Sequence, residues 1–275
     1  MPSKKKEELK FTEFNDKRAG KETRFLSLIV PVFKQEKTSV ANIRALKTVM
    51  DTIGDNYEII VVVDGLGDPS YEKIKKARMP KVICITYPLH QGKGFALRQG
   101  MNKALGDYVL FIDSGMEIDP GGIRMLLEHL LWYEADIIVG SKRHPASIIN
   151  YPLSRKILSL AYYFLVKALF GIKVHDTQAG IKIFKRKVLE KILPHLVEKK
   201  FAGDLEMLVV ANHFGFTRIY EAPIRLDYGL ASVTSAATIH SILGILVDTF
   251  AIFYRLHIVN YYDSLPDSTA SGNPD

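Results

Sequence analysis

Apolar residues follow two rhythms through the first 140 positions of this chain. Short blocks dense in Val and Ile, FLSLIVPVF (25–33), YEIIVVVD (57–64), KVICITYP (81–88) and the runs at 108–113 and 136–140, suit strands buried on both faces. Between them, at 38–53, 71–78, 94–104 and 121–133, apolar positions recur every three or four residues, which predicts helices. Strands separated by helices imply a parallel sheet, so the expected class is α/β, a mostly parallel central sheet flanked by helices. The second half shows longer helices, fewer strands, no internal repeat and no clear linker.

Two stretches stand out as the most apolar, Ile157–Ile172 and Ile239–Tyr254. Each has 16 residues, is interrupted by a charge (Lys167, Asp248), and falls short of the roughly 20 residues a bilayer-spanning helix needs. They are expected to be interfacial or core helices, the second an amphipathic C-terminal one. Residues 1–24 are charged throughout with no apolar signal-peptide core, and 263–275 are small and polar, so both are expected to be disordered tails around an ordered body at 25–262.

Composition adds a location for the charge. The net charge is +7, yet the window 141–200 holds 13 Lys and Arg against 3 acids, so the rest of the chain is slightly acidic. A local excess of cations interleaved with aliphatic residues points to an anionic partner at a membrane surface rather than to nucleic acid, which would call for a stacking platform. The single Cys84, in an apolar run, excludes an internal disulfide and fits a reducing compartment.

Ligands of parallel sheets sit at the carboxyl ends of the strands. That edge collects 31–36, 64–68, 90–93 and 113–117, and with them Glu36, Asp64 and Asp113, whose carboxylates can accept hydrogen bonds from a base or a ribose diol. In HQGKGFALRQG (90–100), Gly92, Lys93 and Gly94 open a helix whose free N–H groups and lysine would suit a diphosphate. The spacing is not that of a Walker A loop. In FIDSGMEIDP (111–120), Asp113, Glu117 and Asp119 share one loop, suited to Mg2+ or Mn2+ when substrate phosphates complete the shell.

The ordered set PVFKQE, EIIVVVDG, QGKGFALRQG, IDSGMEIDP, GSKR and DTQAGIKIF resembles the family 2 glycosyltransferases, and within them the polyprenyl-phosphate branch of dolichyl-phosphate mannose and glucose synthases and their undecaprenyl-phosphate relatives. The resemblance covers 25–224 and implies the glycosyltransferase A-type fold, with 25–140 as the nucleotide-sugar half and 141–262 as the acceptor- and membrane-facing half. It implies that Pro31, Phe33, Glu36 and Asp64 hold the nucleoside, Lys93 the diphosphate, and Asp113 the ribose and a metal. The family's paired aspartates are Val63–Asp64 here, and its Asp-x-Asp is Asp113-Ser114-Gly115. Glu117 stands where close relatives carry a metal-reaching Gln, so the metal would rest on Asp113 and Glu117.

For the acceptor the resemblance points to Arg143, Arg155 and Ser159, the last two four residues apart and so on one helical face. Asp176, Gln178, Lys182, Asp204 and Glu206 match positions the family places around sugar and acceptor. The implied reaction is inverting transfer of a hexose from a UDP- or GDP-sugar to dolichyl or undecaprenyl phosphate, with Asp113, Arg143, Arg155 and Asp204 as the catalytic set. It would run peripherally on the cytoplasmic face of a membrane, with a separate membrane-protein partner conceivable because several relatives carry spanning helices. Two alternatives are a soluble family 2 enzyme acting on a hydroxyl, with Asp204 as base, and a non-catalytic nucleotide-sugar-binding protein.

Overall fold

A computed structural model describes residues 24–149, 153–226 and 239–264, with side chains omitted at 153–156 and 239–241. Of the expected tails, 1–23 and 265–275 lie outside the described residues. The body extends slightly further than the composition implies: Arg24 pairs with Asp55 at 3.1 Å, and Asp263 and Ser264 belong to a last helical turn.

Seven strands form one sheet: β1 (Phe25–Val32), β2 (Asn56–Val63), β3 (Val82–Thr86), β4 (Tyr108–Ile112), β5 (Ile137–Ser141), β6 (Ile181–Lys185) and β7 (Ile219–Pro223). Their spatial order is β3-β2-β1-β4-β6-β5-β7, parallel throughout except β6, which runs antiparallel between β4 and β5. The helices are α1 (Ser39–Ile53), α2 (Ser70–Lys76), α3 (Lys93–Lys103), α4 (Gly122–Trp132), α5 (Leu153–Phe170), α6 (Arg186–Ile192), α7 (Gly203–His213), α8 (Ile239–His257) and α9 (Tyr261–Ser264).

Alternation along the strands builds a core on each face. Leu28, Val30, Ile59, Val61, Leu110, Ile181 and Ile183 pack toward α1 and α4, whose Ile43, Leu46, Leu126 and Leu130 are fully buried. Each such side chain contributes about 1.5–3 kcal/mol of burial. The opposite face carries Ile29, Ile60, Val62, Phe111 and Phe184 against α3, α6 and α7. Period-two alternation in β6 puts Lys182 on this second face, fully buried beside Phe111. Nothing in the alternating-helix pattern foretold β6; four of its five residues lie within a string first noticed for chemistry, and its strand partners are far away in sequence.

Helices α5 and α8 pack together through Tyr162 and Thr249 (2.9 Å) and through Phe170 and Phe253. Their outward positions are apolar: Ile157, Leu160 and Phe164 on α5, Leu243, Val247, Phe250 and Tyr254 on α8, each between 43% and 67% exposed. No described helix is long and apolar enough to cross a membrane. The expected amphipathic C-terminal helix is therefore organised in an unusual sense, with an apolar side turned away from the core.

Candidate active site

The strand order turns back between β1 and β4, two parallel neighbours, and this places the segments after β1, β2 and β4 around one crevice, as expected for ligand sites in such sheets. Phe33 follows β1, 41% exposed, its ring stacked on His90 with centroids 4.1 Å apart. Pro31 is buried in β1, in register with Val62. Glu36 is half-exposed and pairs with Lys73 at 3.0 Å, a solvated pair that contributes little stability.

Asp64 is nearly buried and organises the following loop. Its Oδ1 accepts from the Tyr87 hydroxyl (2.7 Å) and the Gln91 N–H (2.8 Å), while Oδ2 accepts from the Gly92 N–H (2.9 Å) and lies 2.8 Å from His90 Nδ1. Burial, then the Asp64 carboxylate, pushes the Tyr87 hydroxyl far above its usual range, keeping it a donor. Asp64 thus fixes the 87–92 loop and presents His90 over Phe33.

The glycines of the 90–100 string have a different role from the one the sequence suggests. Gly94 N–H donates to the Lys200 carbonyl (3.2 Å) and Phe95 N–H to that of Lys199 (3.0 Å), so the start of α3 is capped by the chain itself. A Cβ at Gly92 would stand 2.6 Å from the Lys199 oxygen, and one at Gly94 2.8 Å from the Glu198 and Lys200 oxygens. Close backbone approach is real here, but the neighbour is the 197–200 segment, and the expectation of free N–H groups at these two positions is corrected accordingly.

What α3 offers the crevice is the Lys93 side chain. Its Nζ lies 2.8 Å from Asp113 Oδ1 and 2.8 Å from Asp204 Oδ2. Asp204 Oδ1 in turn accepts from Lys182 Nζ (2.9 Å), which also donates to the Ala179 carbonyl (2.7 Å). Asp113, Lys93, Asp204 and Lys182 therefore form a row of alternating charge, with the Phe111 ring beneath both ammonium groups. Burial works against the charge of Lys93, but Asp113 and Asp204 outweigh it and hold its pKa above the ordinary lysine value. Lys182, with the deepest burial and Lys93 nearby, is displaced downward despite Asp204. Burial also opposes ionisation of Asp204, and the two lysines overcome that, leaving its pKa below the usual carboxylate range. A carboxylate 2% exposed and held ionised by two lysines is a poor proton acceptor for a hydroxyl substrate. Its geometry suits the fixing of Lys93.

Asp113 is the open end of the row, with its side chain 45% exposed. Its N–H bonds the Gly180 carbonyl (2.9 Å), and a Cβ at Gly180 would fall 2.1 Å from Asp113 Oδ2. The glycine of DTQAG is thus required by the carboxylate. Gly180→Ala is expected to displace Asp113 and lower kcat by about 100-fold, as an ångström of misplacement does. Steady-state kinetics beside a melting curve checks this; an unchanged kcat would mean the carboxylate need not sit there.

Among the described residues no three His, Cys, Asp or Glu side chains converge to hold a metal. Of the loop's three carboxylates, Asp119 accepts from the Gly121 N–H (2.8 Å), and Asp113 and the partly exposed Glu117 are the other two. They fit a hard cation of the shared kind, bound by one or two carboxylates and completed by a ligand's phosphates, and not an all-protein cage.

Among the residues expected at the acceptor, Arg143 follows β5, its Nη2 donating to Ser159 Oγ (3.0 Å) and its guanidinium lying 5.8 Å from the Tyr163 ring centroid. Its buried Nε has no hydrogen-bond partner among the described residues. Arg155 sits one turn before Ser159 on α5, and its side chain lies outside the described residues. Asp176 is nearly buried and takes the Lys142 N–H (2.9 Å), fixing the turn that carries Arg143. Gln178 Nε2 donates to Tyr162 Oη at 3.4 Å. Cys84 stands apart on β3, with burial pushing its thiol up to about 12, so it is no nucleophile at neutral pH.

Sequence reasoning did not single out His90, Tyr87 or Gly180. Only proximity in space marks them, although the glycine stood inside a string already noticed.

This is the glycosyltransferase A-type fold. Among solved structures it is similar to glucosyl-3-phosphoglycerate synthase from Mycobacterium tuberculosis, crystallised with Mn2+, UDP and phosphoglyceric acid, with a TM-score of 0.64 and 19% identity over 94% of this chain and 84% of that one. The family model for glycosyl transferase family 2 matches residues 27–193, and the chain belongs to that family. It is 26% identical to glycosyltransferase AglD of Haloferax volcanii over 85% of its own length and 38% of that protein's. It is 27% identical to a UDP-N-acetylglucosamine–dolichyl-phosphate N-acetylglucosaminyltransferase of Methanococcus voltae, covering 85% of this chain and 95% of that one. To the dolichyl-phosphate beta-glucosyltransferase of Drosophila melanogaster it is 30% identical, over 68% of this chain and 63% of the relative.

Proposed function

We propose that the chain transfers a sugar from a nucleoside-diphosphate donor to a polyprenyl phosphate at a membrane surface, with inversion at the anomeric carbon. The observation that carries this is the position of Arg143: its guanidinium is bonded to Ser159 on α5, the helix whose outer face is apolar. A lipid phosphate needs that pairing, a cation for its head and an uncovered apolar face for its chain. The names of the dolichyl-phosphate relatives support the same acceptor.

The second pKa of a phosphate monoester lies near 6, so the acceptor oxygen is already largely anionic at pH 7 and no strong base is needed. That agrees with the sequestered state of Asp204. The acceptor oxygen forms its bond to the anomeric carbon as the bond from that carbon to the donor diphosphate breaks, and the displaced nucleoside diphosphate carries the electron pair away. Phe33, His90 and Glu36 line the nucleoside side, with Asp64 holding the loop that carries His90. Lys93, freed in part from Asp113 and Asp204, neutralises the departing diphosphate. A divalent cation held by Asp113 and Glu117 would supply further charge neutralisation there. Arg143, with Arg155 and Ser159, holds the acceptor phosphate. Asp176, Gln178 and Lys182 shape the space for the sugar and keep Arg143 and Lys93 in place.

The apolar faces of α5 and α8 would rest in the headgroup region, exceeding in extent the scattered apolar exposure normal for a soluble surface. The reducing conditions that suit Cys84 favour the cytoplasmic leaflet. A membrane-protein partner on the same faces is compatible with this arrangement.

Mass spectrometry of lipids after incubation with undecaprenyl or dolichyl phosphate, Mg2+ or Mn2+, and UDP- and GDP-sugars is expected to show a lipid-phosphate sugar. Product on a soluble hydroxyl acceptor alone would replace this reading with the other family 2 chemistry. Arg143→Ala and Arg155→Ala are each expected to lower kcat/KM for the lipid phosphate by about 10- to 100-fold, the worth of one or two bonds to a charged group. Donor affinity, measured by calorimetry, should stay within about twofold of the parent because neither residue is assigned to the nucleotide. Loss of donor affinity would move both arginines to the other side of the crevice.

A further inference from the structure

A second buried polar cluster lies behind the first and plays no part in the chemistry above. Glu206, two residues beyond Asp204 on α7, is fully buried. Its Oε2 accepts from the N–H groups of Val197 (2.9 Å) and Glu198 (2.8 Å), and its Oε1 accepts from the hydroxyl of Tyr262 (2.8 Å), itself fully buried. Arg255, near the end of α8, pairs with Glu198 through Nη2, lies 3.7 Å from Glu206 Oε1 and donates from Nε to Tyr262 Oη (3.3 Å). One carboxylate therefore ties the 197–200 segment to the carboxyl end of α8 and to α9.

The 197–200 segment is also the partner of the Lys93 loop. It accepts from Gly94 and Phe95, its neighbour Leu196 accepts from Arg98 on α3, and Lys199 Nζ reaches Gln91 Oε1 at 3.3 Å. The two glycines flanking Lys93 are glycines because this segment crosses within 2.6–2.8 Å of where a Cβ would be. A path of direct bonds thus runs from Arg255 and Tyr262, through Glu206 and the 197–200 segment, to the backbone just after Lys93 and to the Gln91 side chain before it. Asp204 on the same helix α7 holds the lysine's other end.

We propose that Glu206, Arg255 and Tyr262 are positioning residues for Lys93, so that the helix exposing an apolar face also sets the geometry of the donor's diphosphate contact. Helix α7 serves both clusters: Asp204 fixes the ammonium and Glu206 fixes the strap that seats its backbone. Anything that shifts the carboxyl end of α8 shifts that strap, because the buried carboxylate gives up its partners only by leaving charge unsatisfied. The nature of the ligand, though not the coupling, rests on the donor reading given above.

The test uses the full chain and the variants Arg255→Met, Arg255→Lys and Tyr262→Phe. Hydrogen exchange followed by mass spectrometry on peptides spanning 92–98 reads the bonds of Gly94 and Phe95 directly, and calorimetry with UDP and with GDP reads the diphosphate contact. Expected for Arg255→Met is at least tenfold faster exchange in 92–98, with exchange in β1 and β4 unchanged, and a roughly tenfold weaker nucleotide. Tyr262→Phe, the milder change should the first fail to fold, is expected to act in the same direction by about threefold, and Arg255→Lys to recover part of both effects. Unchanged exchange in 92–98 overturns the coupling. Faster exchange with nucleotide affinity intact overturns the positioning role. Should the parent bind neither nucleotide, the donor reading fails by itself, and the exchange data alone then support or overturn the coupling.

Discussion

Replacing Asp113 with alanine is expected to lower kcat by about 1000-fold while leaving the fold intact. The carboxylate lies at the open end of the charged row, its side chain nearly half-exposed, and its loss leaves Lys93 still paired with Asp204 at 2.8 Å. Stability should therefore fall by no more than about 1–2 kcal/mol, the range for a partly exposed pair. The chemistry loses more, because the same group faces the crevice, balances Lys93 and is the first carboxylate available to a divalent ion. Asp113→Asn keeps the shape and removes the charge, and should behave as alanine does. Single-turnover kinetics beside a melting curve separates the effects; activity within tenfold of the parent would take Asp113 out of the chemistry.

Asp204→Asn is expected to have the opposite profile, a large loss of stability accompanied by loss of turnover. Asp204 is 2% exposed between Lys93 and Lys182, and Lys182 is fully buried. Removing the one negative charge they share leaves two ammonium groups in a low-dielectric site, a change that costs about 3–5 kcal/mol. For a chain of this size that is a drop in Tm of roughly 10 °C. Adding Lys182→Met to Asp204→Asn removes the stranded charge and should restore much of the stability, but not the activity, since Lys93 then has no fixed partner behind it.

The pH dependence follows from the directions of the shifts. Asp204 has a folded pKa below the ordinary aspartate value of 3.8, so its contribution is present above that value and lost as pH falls through the lower, folded one. Lys93, raised above 10.5, contributes fully below 10.5 and loses its contribution as pH rises through its higher folded value. Lys182, lowered, opposes it: the cost of keeping that group charged is present below its folded pKa and disappears as pH rises toward 10.5. The stability gap between parent and Asp204→Asn should thus be wide at neutral pH, begin to narrow only as pH falls below 3.8, and close below the lower folded pKa. Denaturant titrations stepped from pH 7 down to about pH 2 measure it, and a gap independent of pH over that whole span would mean that the carboxylate is not the source.

Much of the sheet was legible because each of its first five strands is a separate Val- and Ile-rich block divided from the next by a helical pattern. β6 was not, since an antiparallel strand slipped between β4 and β5 depends on partners more than 40 residues away at the nearest. The sequence strings placed Asp64, Lys93 and Asp113 at the carboxyl edge of the sheet, where Asp64 follows β2, Asp113 follows β4 and Lys93 opens α3. They could not show that Asp64 spends its hydrogen bonds on its own loop, or that the glycines beside Lys93 accommodate a carbonyl-lined strap rather than a ligand. Glycine in a sequence says that something approaches closely and is silent about what.

By itself, then, the sequence determined the alternation of strands and helices, the local excess of cations in 141–200 and the motif residues of a family 2 transferase, because each is written in neighbouring positions or fixed spacings. The tertiary structure decided which charges meet. Lys182, which the family strings put around the sugar and acceptor, is turned into the core by β6, where it and Lys93 close on Asp204 from two sides. The apolar runs of α5 and α8 likewise read as core or interface until packing through Tyr162 and Thr249 leaves Phe164 and Val247 uncovered. Burial and pairing are properties of separation in space, and residues 93, 113, 182 and 204 acquire theirs only when the sheet brings them within 3 Å of one another in a row.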